Sequence, residues 1–313
     1  MGRRYETVSF LTDYGHEDEF VGVVKSVLRD LAPHATVVDL THGVRPFDVR
    51  GGALALARAI PYVAEGVVLA VVDPGVGTAR RAVAVEVAGG AGVLVGPDNG
   101  LLAPAVAVVG GADRAVELTN RDYQLETPPG ATFAGRDIFA PVAAHLCNGV
   151  DLAELGPSVD PGLLLPGTVP LPRDEADGLH AEVLWVDRFG NCQLNVTLDD
   201  LPEATTVIAV TIGDERRVGH VAAAFGELTR GQLGLVIDSQ GMCALAFDQH
   251  SASAELRLAA GDAVLLSPVS GGDGGRPTTP VALGPRRSEP SRPARRPSSS
   301  AGASGGPPRE SLA

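Results

Sequence analysis

Lysine is nearly missing from this chain: Lys25 is the single one in 313 residues. A P-loop needs a lysine behind its glycines and is thereby excluded. Schiff-base chemistry is left with one side chain, on an apolar-faced first helix. Aromatic residues make up only 4%, so the core has to be aliphatic. The three cysteines, Cys147, Cys192 and Cys243, are odd in number, far apart and free of CxxC spacing. They suit neither a disulfide framework nor a zinc ribbon and predict reduced thiols in a cytoplasmic protein. No apolar run approaches the roughly 18 residues of a membrane helix, and no apolar signal segment precedes the first strand pattern. A soluble, unexported chain with no membrane partner is expected. Cationic charge is scarce too: 25 Lys and Arg against 38 Asp and Glu leave a net charge of −13. Nucleic acid and anionic membranes both require a positive field, so neither is an expected partner. There is also no GxSxG elbow. GGAGVLVG carries Val95 where a dinucleotide fingerprint needs its last glycine.

What is present reads as two regions and a tail. TVSFLT (Thr7–Thr12), ATVVDL, VVLAVV, Ala82–Val87 and Gly92–Val95 are strand-like. Between them Phe20, Val23, Val24, Val27, Leu28 and Leu31 fall on one helical face that Pro33 ends. Helices are also predicted over Val49–Ile60, stopped by Pro61, and over Asp137–Cys147. This alternation predicts an α/β domain over 1–165, with Rossmann-like layers on a mostly parallel sheet. A proline-rich linker is expected over 166–178. HAEVLWVD, CQLNVTL, TTVIAVTI, ERRVGHV, LGLVID and MCALAF predict a smaller all-β, barrel-like domain over 179–269. Gly, Pro, Ser and Arg dominate 270–313, which reads as a disordered tail.

In α/β sheets ligands bind beyond the carboxyl ends of strands, where Asp13, Asp39 and Asp73 are expected. VVDPGVGTARR, Val71–Arg81, closes an apolar strand on Asp73, turns through Gly75 and Gly77 and presents Arg80. By spacing alone Asp73 and Arg80 suit a catalytic pair and a structural ion pair equally. Asp13, His16, Asp18, Asp39 and His42 could supply N and O ligands to a metal, but their spacing matches no metal motif, and hydrogen-bonding loop residues are the other reading.

Six stretches taken together resemble the S-adenosyl-L-methionine (SAM) hydroxide adenosyltransferases, hydrolases related to the SAM-dependent fluorinase and chlorinase. They are FLTDYG (Phe10–Gly15), DLTHGV (Asp39–Val44), VVDPGVGTARR, VGPDNGLL (Val95–Leu102), TFAGRDIFAPVAAHL (from Thr132) and WVDRFGNCQLN (Trp185–Asn195). The resemblance implies attack of water or hydroxide on the ribose C5′ of SAM, giving adenosine and L-methionine, with no metal and no cofactor. It implies a homotrimer with SAM between one subunit's N-terminal domain and its neighbour's C-terminal domain. Asp13, with Tyr14 beside it, matches the aspartate that binds both ribose hydroxyls, and Phe47 a wall near the sugar. Asp187, Phe189 and Asn191 match contacts to the methionine moiety and adenine. Ser239 matches a position near the methionine carboxylate, and Phe247 and Ser251 the segment lining adenine.

For the chemistry the resemblance implies an aspartate, an arginine and a histidine. Asp73 and Arg80 match the first two, and tyrosine replaces this aspartate in the halide-using relatives. The histidine is missing, because TFAGRDIF carries Ala134 where the family has TFHGRDIF. His145, eleven residues on, would stand ~16 Å away along a helix, too far to substitute. The expectation is therefore a SAM hydrolase with impaired turnover. A SAM- or adenosine-binding protein with little turnover and a halide adenosyltransferase are the alternatives.

Overall fold

A computed structural model describes residues 2–126, 130–202 and 205–269; the expected disordered tail lies outside the described residues. The N-terminal elements are β1 (Thr7–Thr12), α1 (Phe20–Leu31), β2 (Thr36–Thr41), α2 (Val49–Ala59), β3 (Gly66–Val71), β4 (Ala82–Val87), β5 (Gly92–Pro97), α3 (Ala103–Val108), β6 (Ala112–Glu117), α4 (Ala140–Cys147) and β7 (Ser158–Val159). β1, β3 and β5 are buried almost throughout because both of their faces are covered, and even Ser9 and Thr12 of β1 are buried. Val8, Phe10, Leu69 and Val71 pack towards Val24, Leu28, Phe139 and Leu146 of α1 and α4. Their neighbours Leu11, Val68 and Ala70 point the other way, onto Ala53 and Leu56 of α2 and Ala105 of α3. The period-2 alternation of the strands thus becomes two cores, one on each side of a single sheet.

The strand order is β2-β1-β3-β5-β4-β6-β7. Pairings from β2 to β5 are parallel, as expected. Those from β5 through β4 and β6 to β7 are antiparallel, so the sheet is mixed rather than mostly parallel. The reason is local: only Ala88–Gly90 and Ala91 separate β4 from β5, and so short a connection can join only antiparallel strands.

The rest forms β8 (Arg173–Glu175), β9 (Gly178–Val186), β10 (Cys192–Thr197), β11 (Val207–Ile212), β12 (Glu215–Ala222), β13 (Leu233–Ile237), β14 (Met242–Ala246), the short helix α5 (Ala252–Leu256) and β15 (Ala263–Pro268). Seven strands close in the order β9-β10-β14-β13-β12-β11-β15 and back to β9, with β8 attached outside β9. The six strand-like runs all appear, and β15 is the unforeseen seventh that shuts the barrel by pairing with both β9 and β11. Part of the expected linker is β8, which forms a tight hairpin with β9 through Glu175 and Gly178.

Two arginines of α2 reach the barrel. Arg50 pairs with Glu182 at 2.6 Å, and the Arg58 guanidinium stacks 4.1 Å from the centre of the Trp185 ring. All three cysteines are buried and unpaired, and burial, as the largest influence, pushes each thiol up to about 12. Among the described residues no helix is long and apolar enough to cross a membrane.

Candidate active site

β1 and β3 are neighbours in the sheet, with Thr12 opposite Val71 in the register. Their carboxyl-end turns therefore emerge side by side, one carrying Asp13 and the other Asp73. Both line one cavity of about 670 Å³, together with Tyr14, Phe47 and Ala134. Asp39, by contrast, lies inside β2 and not at its end.

Asp73 is held rigidly. Val76 N donates to the Asp73 carbonyl and Thr78 N to that of Gly75, winding the DPGVGT segment into a turn that returns Arg80 to the carboxylate. Arg80 Nε donates to Asp73 Oδ1 at 2.8 Å and to Oδ2 at 3.0 Å, and its Nη2 also donates to Oδ2. The Asp73 side chain is only 6% exposed. From β5 the Asn99 amide donates to the Val72 carbonyl at 2.8 Å, bracing the end of β3; composition gave no hint of that role. On the far side the Arg80 guanidinium sits 5.2 Å from the Phe139 ring centre.

Asp13 faces the same space with a different commitment. Its Oδ2 accepts the Phe47 N–H at 2.9 Å. Phe47 has φ of +67°, a region a bulky side chain seldom occupies, and its ring is 74% exposed. Backbone in that region costs ~1–3 kcal/mol, so the loop carrying Phe47 depends on the Asp13 contact. Tyr14 forms edge contacts with Phe20 and Phe133, whose rings also line the cavity. Neither phenylalanine was foreseen, although three rings gathered in a chain so poor in aromatics is a signal in retrospect. Burial first, then the charges of Asp13 and Asp73, raise the Tyr14 hydroxyl far above the usual tyrosine range.

Ala134 stands at a wall. It lines the main cavity with Asp13 and Asp73 and also an adjoining one of about 260 Å³ with Arg80 and Asp137. The expected helix start at Asp137 is a wide turn, Gly135–Phe139, that feeds α4. Pro141 has no N–H to give the Asp137 carbonyl, which accepts Leu125 N instead. Next to Ala134, Gly135 has no alternative, because a Cβ there would overlap the Tyr14 hydroxyl. His145 is half-buried against the Tyr123 ring at 5.0 Å, not on an open helix surface, and does not line the cavity.

None of Asp187, Phe189, Asn191, Ser239, Phe247 or Ser251 lines this cavity. Four of them gather at one end of the barrel. Asp187 Oδ1 accepts Phe189 N and Asn191 N, both at 2.9 Å, and Oδ2 accepts the Asn191 amide at 2.8 Å. Ser251 caps α5 by accepting Ala254 N and lies so near Gly190 that a Cβ on that glycine would overlap its hydroxyl. Phe189 projects from this loop, 78% exposed. Ser239 is exposed in the β13–β14 turn, and Phe247 packs within the barrel core. A cavity of about 790 Å³ borders the β8–β9 hairpin, and none of the sequence-predicted residues lines it. Among the described residues the Asp, Glu and His ligand atoms that converge are those of Glu175, Asp177 and His180 on that exposed hairpin; Asp13, His16, Asp18, Asp39 and His42 form no such group.

Comparison with known proteins fits both halves of this arrangement. The model of the SAM hydroxide adenosyltransferase N-terminal domain matches residues 8–156, and that of the SAM hydroxide adenosyltransferase C-terminal domain matches 181–265. The chain is 50% identical over 258 residues to the (R)-S-adenosyl-L-methionine hydrolase of Salinispora tropica, covering 82% of this chain and 95% of that one. It is 42% identical over 277 residues to the enzyme of the same name from Thermus thermophilus, covering 83% and 98%. A crystal structure of an uncharacterized conserved protein from Thermotoga maritima superposes with a TM-score of 0.76 at 34% identity, covering 83% of this chain and all of that one. A mixed sheet with its paired turns, followed by a closed barrel, is thus shared along nearly the whole described length, and the chain belongs to the SAM hydroxide adenosyltransferase family.

Proposed function

We propose that this protein is a SAM hydrolase: water or hydroxide attacks the ribose C5′ of SAM, and adenosine and L-methionine leave. The observation that carries the reading is Asp73, fixed by Arg80 on the wall of a cavity whose other carboxylate is Asp13. As the new O–C5′ bond forms, the C5′–S pair passes to sulfur, turning a sulfonium into a neutral thioether; hydroxide as the nucleophile leaves no proton over, and water releases one to solvent. The leaving group is already activated, so the chain's own residues need only orient the nucleophile and exclude bulk water, and the reading includes no metal or cofactor.

The Asp73 carboxylate accepts from the Arg80 guanidinium on both oxygens, which fixes its position. Its role is to accept a hydrogen bond from the attacking water and set the line of attack. The same charge repels a halide, which disfavours a halide adenosyltransferase. Asp13 accepts the two ribose hydroxyls, taking over from or joining the Phe47 N–H. Ala134 cannot carry a proton, so turnover is slower than with an imidazole at this wall.

Asp187, Phe189, Asn191 and Ser251 complete the site from a second copy of the chain in a trimer, because within one chain they do not line the Asp13–Asp73 cavity. Phe189, exposed at the loop tip, supplies the stacking ring, and Ser239 and Phe247 belong to the same barrel contribution. The unpaired, buried cysteines support action in the cytoplasm. The test is adenosine and methionine release from SAM, with Asp73→Asn and Asn191→Ala chains assayed separately and mixed. Each alone should be slow and the mixture should recover, since one of its composite sites is intact; a mixture no faster than its parts refutes the shared site. Binding of SAM without any product from the unaltered chain would instead establish the binding-protein reading that Ala134 leaves open.

A further inference from the structure

Behind the Asp13 turn lies a line of polar side chains that the chemistry above does not use. His42 Nδ1 is 2.8 Å from Thr12 Oγ1, and His42 Nε2 is 3.1 Å from Asp39 Oδ1. The other Asp39 oxygen accepts from Lys25 Nζ at 2.6 Å. Thr12 Oγ1 also accepts the Tyr14 N–H at 3.2 Å, and the His42 carbonyl accepts Gly15 N at 2.9 Å. Thr12 and His42 are fully buried, whereas Asp39 and Lys25 reach solvent.

The donors and acceptors fit one proton order. A lysine only donates and a carboxylate only accepts, so Asp39 takes Lys25 on one oxygen, while its other oxygen lies 3.1 Å from the buried His42 Nε2 in a close polar contact without hydrogen-bond geometry. Nδ1 is then an acceptor and receives the Thr12 hydroxyl proton. The Thr12 oxygen keeps its lone pairs for the Tyr14 amide. Burial, the largest influence on His42, holds its pKa below the ordinary value and outweighs Asp39, which keeps the ring in the neutral form this order needs. The ring is also clamped edgewise by Phe10 at 4.7 Å and His16 at 5.4 Å. One residue at the end of β2 therefore grips the Asp13–Gly15 turn twice, once through the Thr12 hydroxyl and once through its own carbonyl.

We propose that His42 is a positioning residue, which, anchored by Asp39 and Lys25 and acting through Thr12, fixes the turn that aims Asp13 and Tyr14 into the cavity. Its effect on substrate rests on the reading that Asp13 holds the ribose hydroxyls. Thr12 is sealed from the cavity and cannot meet substrate itself, so any influence it has on binding passes through the turn.

The experiment uses the full chain with three substitutions: Thr12→Val, which keeps the shape and removes the hydroxyl, Thr12→Ser, which keeps the hydroxyl, and Asp13→Asn. Adenosine affinity, the KM and kcat for SAM, and hydrogen exchange at the Tyr14 amide are measured on each. The expected result is about ten-fold weaker adenosine binding and a matching rise in KM for Thr12→Val, with kcat changed less. Tyr14 exchange should be faster in Thr12→Val, and Thr12→Ser should stay within about two-fold of the parent throughout. If Thr12→Val does not fold, His42→Leu, which fills the space and removes Nδ1, takes its place, with the same expected rise in KM and exchange. Unchanged Tyr14 exchange without the hydroxyl overturns the proposal, as does a Thr12→Ser variant as weak as Thr12→Val. If Asp13→Asn weakens adenosine and Thr12→Val does not, the positioning role fails while the ribose reading stands. If Thr12→Val speeds exchange and Asp13→Asn binds adenosine normally, the ribose reading fails instead and the hold on the turn is upheld.

Discussion

Asp73 and Asp187 are both aspartates that end an apolar strand at a glycine-containing turn, and the structure uses them in opposite ways. Asp73 is braced by a guanidinium, leaving a fixed negative edge on a cavity wall. Asp187 turns inward and uses its oxygens on Phe189 N, Asn191 N and the Asn191 amide, so that its product is the shape of the loop. Each carboxylate accepts three hydrogen bonds, Asp73 from one arginine side chain and Asp187 from its own loop, so the difference lies in what is held: a charged pair on a cavity wall in one case and a loop conformation in the other. What the barrel loop presents to solvent is the ring of Phe189, and Asp187 sets the loop that carries it.

The sharpest test of the Asp73 side is Ala134→His. Restoring an imidazole between the two cavities should raise kcat by ~10²- to 10⁴-fold at little-changed SAM affinity, read by adenosine release. No gain would mean that the Asp73–Arg80 pair reaches its rate by orientation alone. Next in size, Asp73→Asn should lower kcat by about 100-fold with SAM still bound, since it removes the charge that orients water. Asp187→Ala should act differently, costing about 1–3 kcal/mol of stability through three lost hydrogen bonds. Calorimetry should show that as a melting point lower by a few degrees. An Asp187→Ala chain with unchanged melting and weakened methionine affinity would reverse the contrast.

The smallest effect concerns acid stability of the network behind Asp13. Burial, the largest influence on Asp39, pushes its pKa up, but Lys25 and His42 together outweigh it and leave the carboxyl below its ordinary value. A depressed carboxyl contributes stability above its unfolded pKa of about 4, lost as pH falls through the folded one. For His42 the folded pKa is also depressed, and the unfolded chain binds more protons just below its pKa of about 6.5. That contribution is complete above about 6.5 and declines as pH drops below it. Melting temperature should therefore fall in two acid steps, and His42→Asn should shrink the upper one, leaving the share of half-buried His145, whose pKa burial also lowers. The same substitution should leave the stability of the Asp187 loop against pH untouched.

Much of this was legible because it depends on local pattern. β1, α1 and β4 carry the bounds that alternation and helical spacing predict, and Asp13 and Asp73 meet because adjacent parallel strands end at one edge. The antiparallel half of the sheet was hidden, since β4 is as apolar as the parallel strands, β6 with Asp113, Arg114 and Glu117 has no strand-like apolar run, and only the short Ala88–Ala91 link betrays the reversal. β15 and β8 were missed for opposite reasons. AVLLSP looks like the fringe of a tail until its partners β9 and β11 are known, and a three-residue strand leaves no period to detect. At the site, Asn99, Phe20 and Phe133 act through contacts between segments far apart in sequence, which spacing within one segment cannot show. That Asp187 accepts three hydrogen bonds from its own loop is likewise a matter of geometry rather than residue type.

The scarcity of lysine has one more use. A protease that cuts only after lysine meets a single bond, Lys25–Ser26, in the middle of α1. A folded helix does not fit a protease cleft, so cleavage requires that α1 open, and at low protease its rate follows the opening equilibrium of that one element. Because Lys25 is tied through Asp39 to His42, a simple digest with and without adenosine reads how firmly the far end of the chain of polar contacts is held when the near end is occupied.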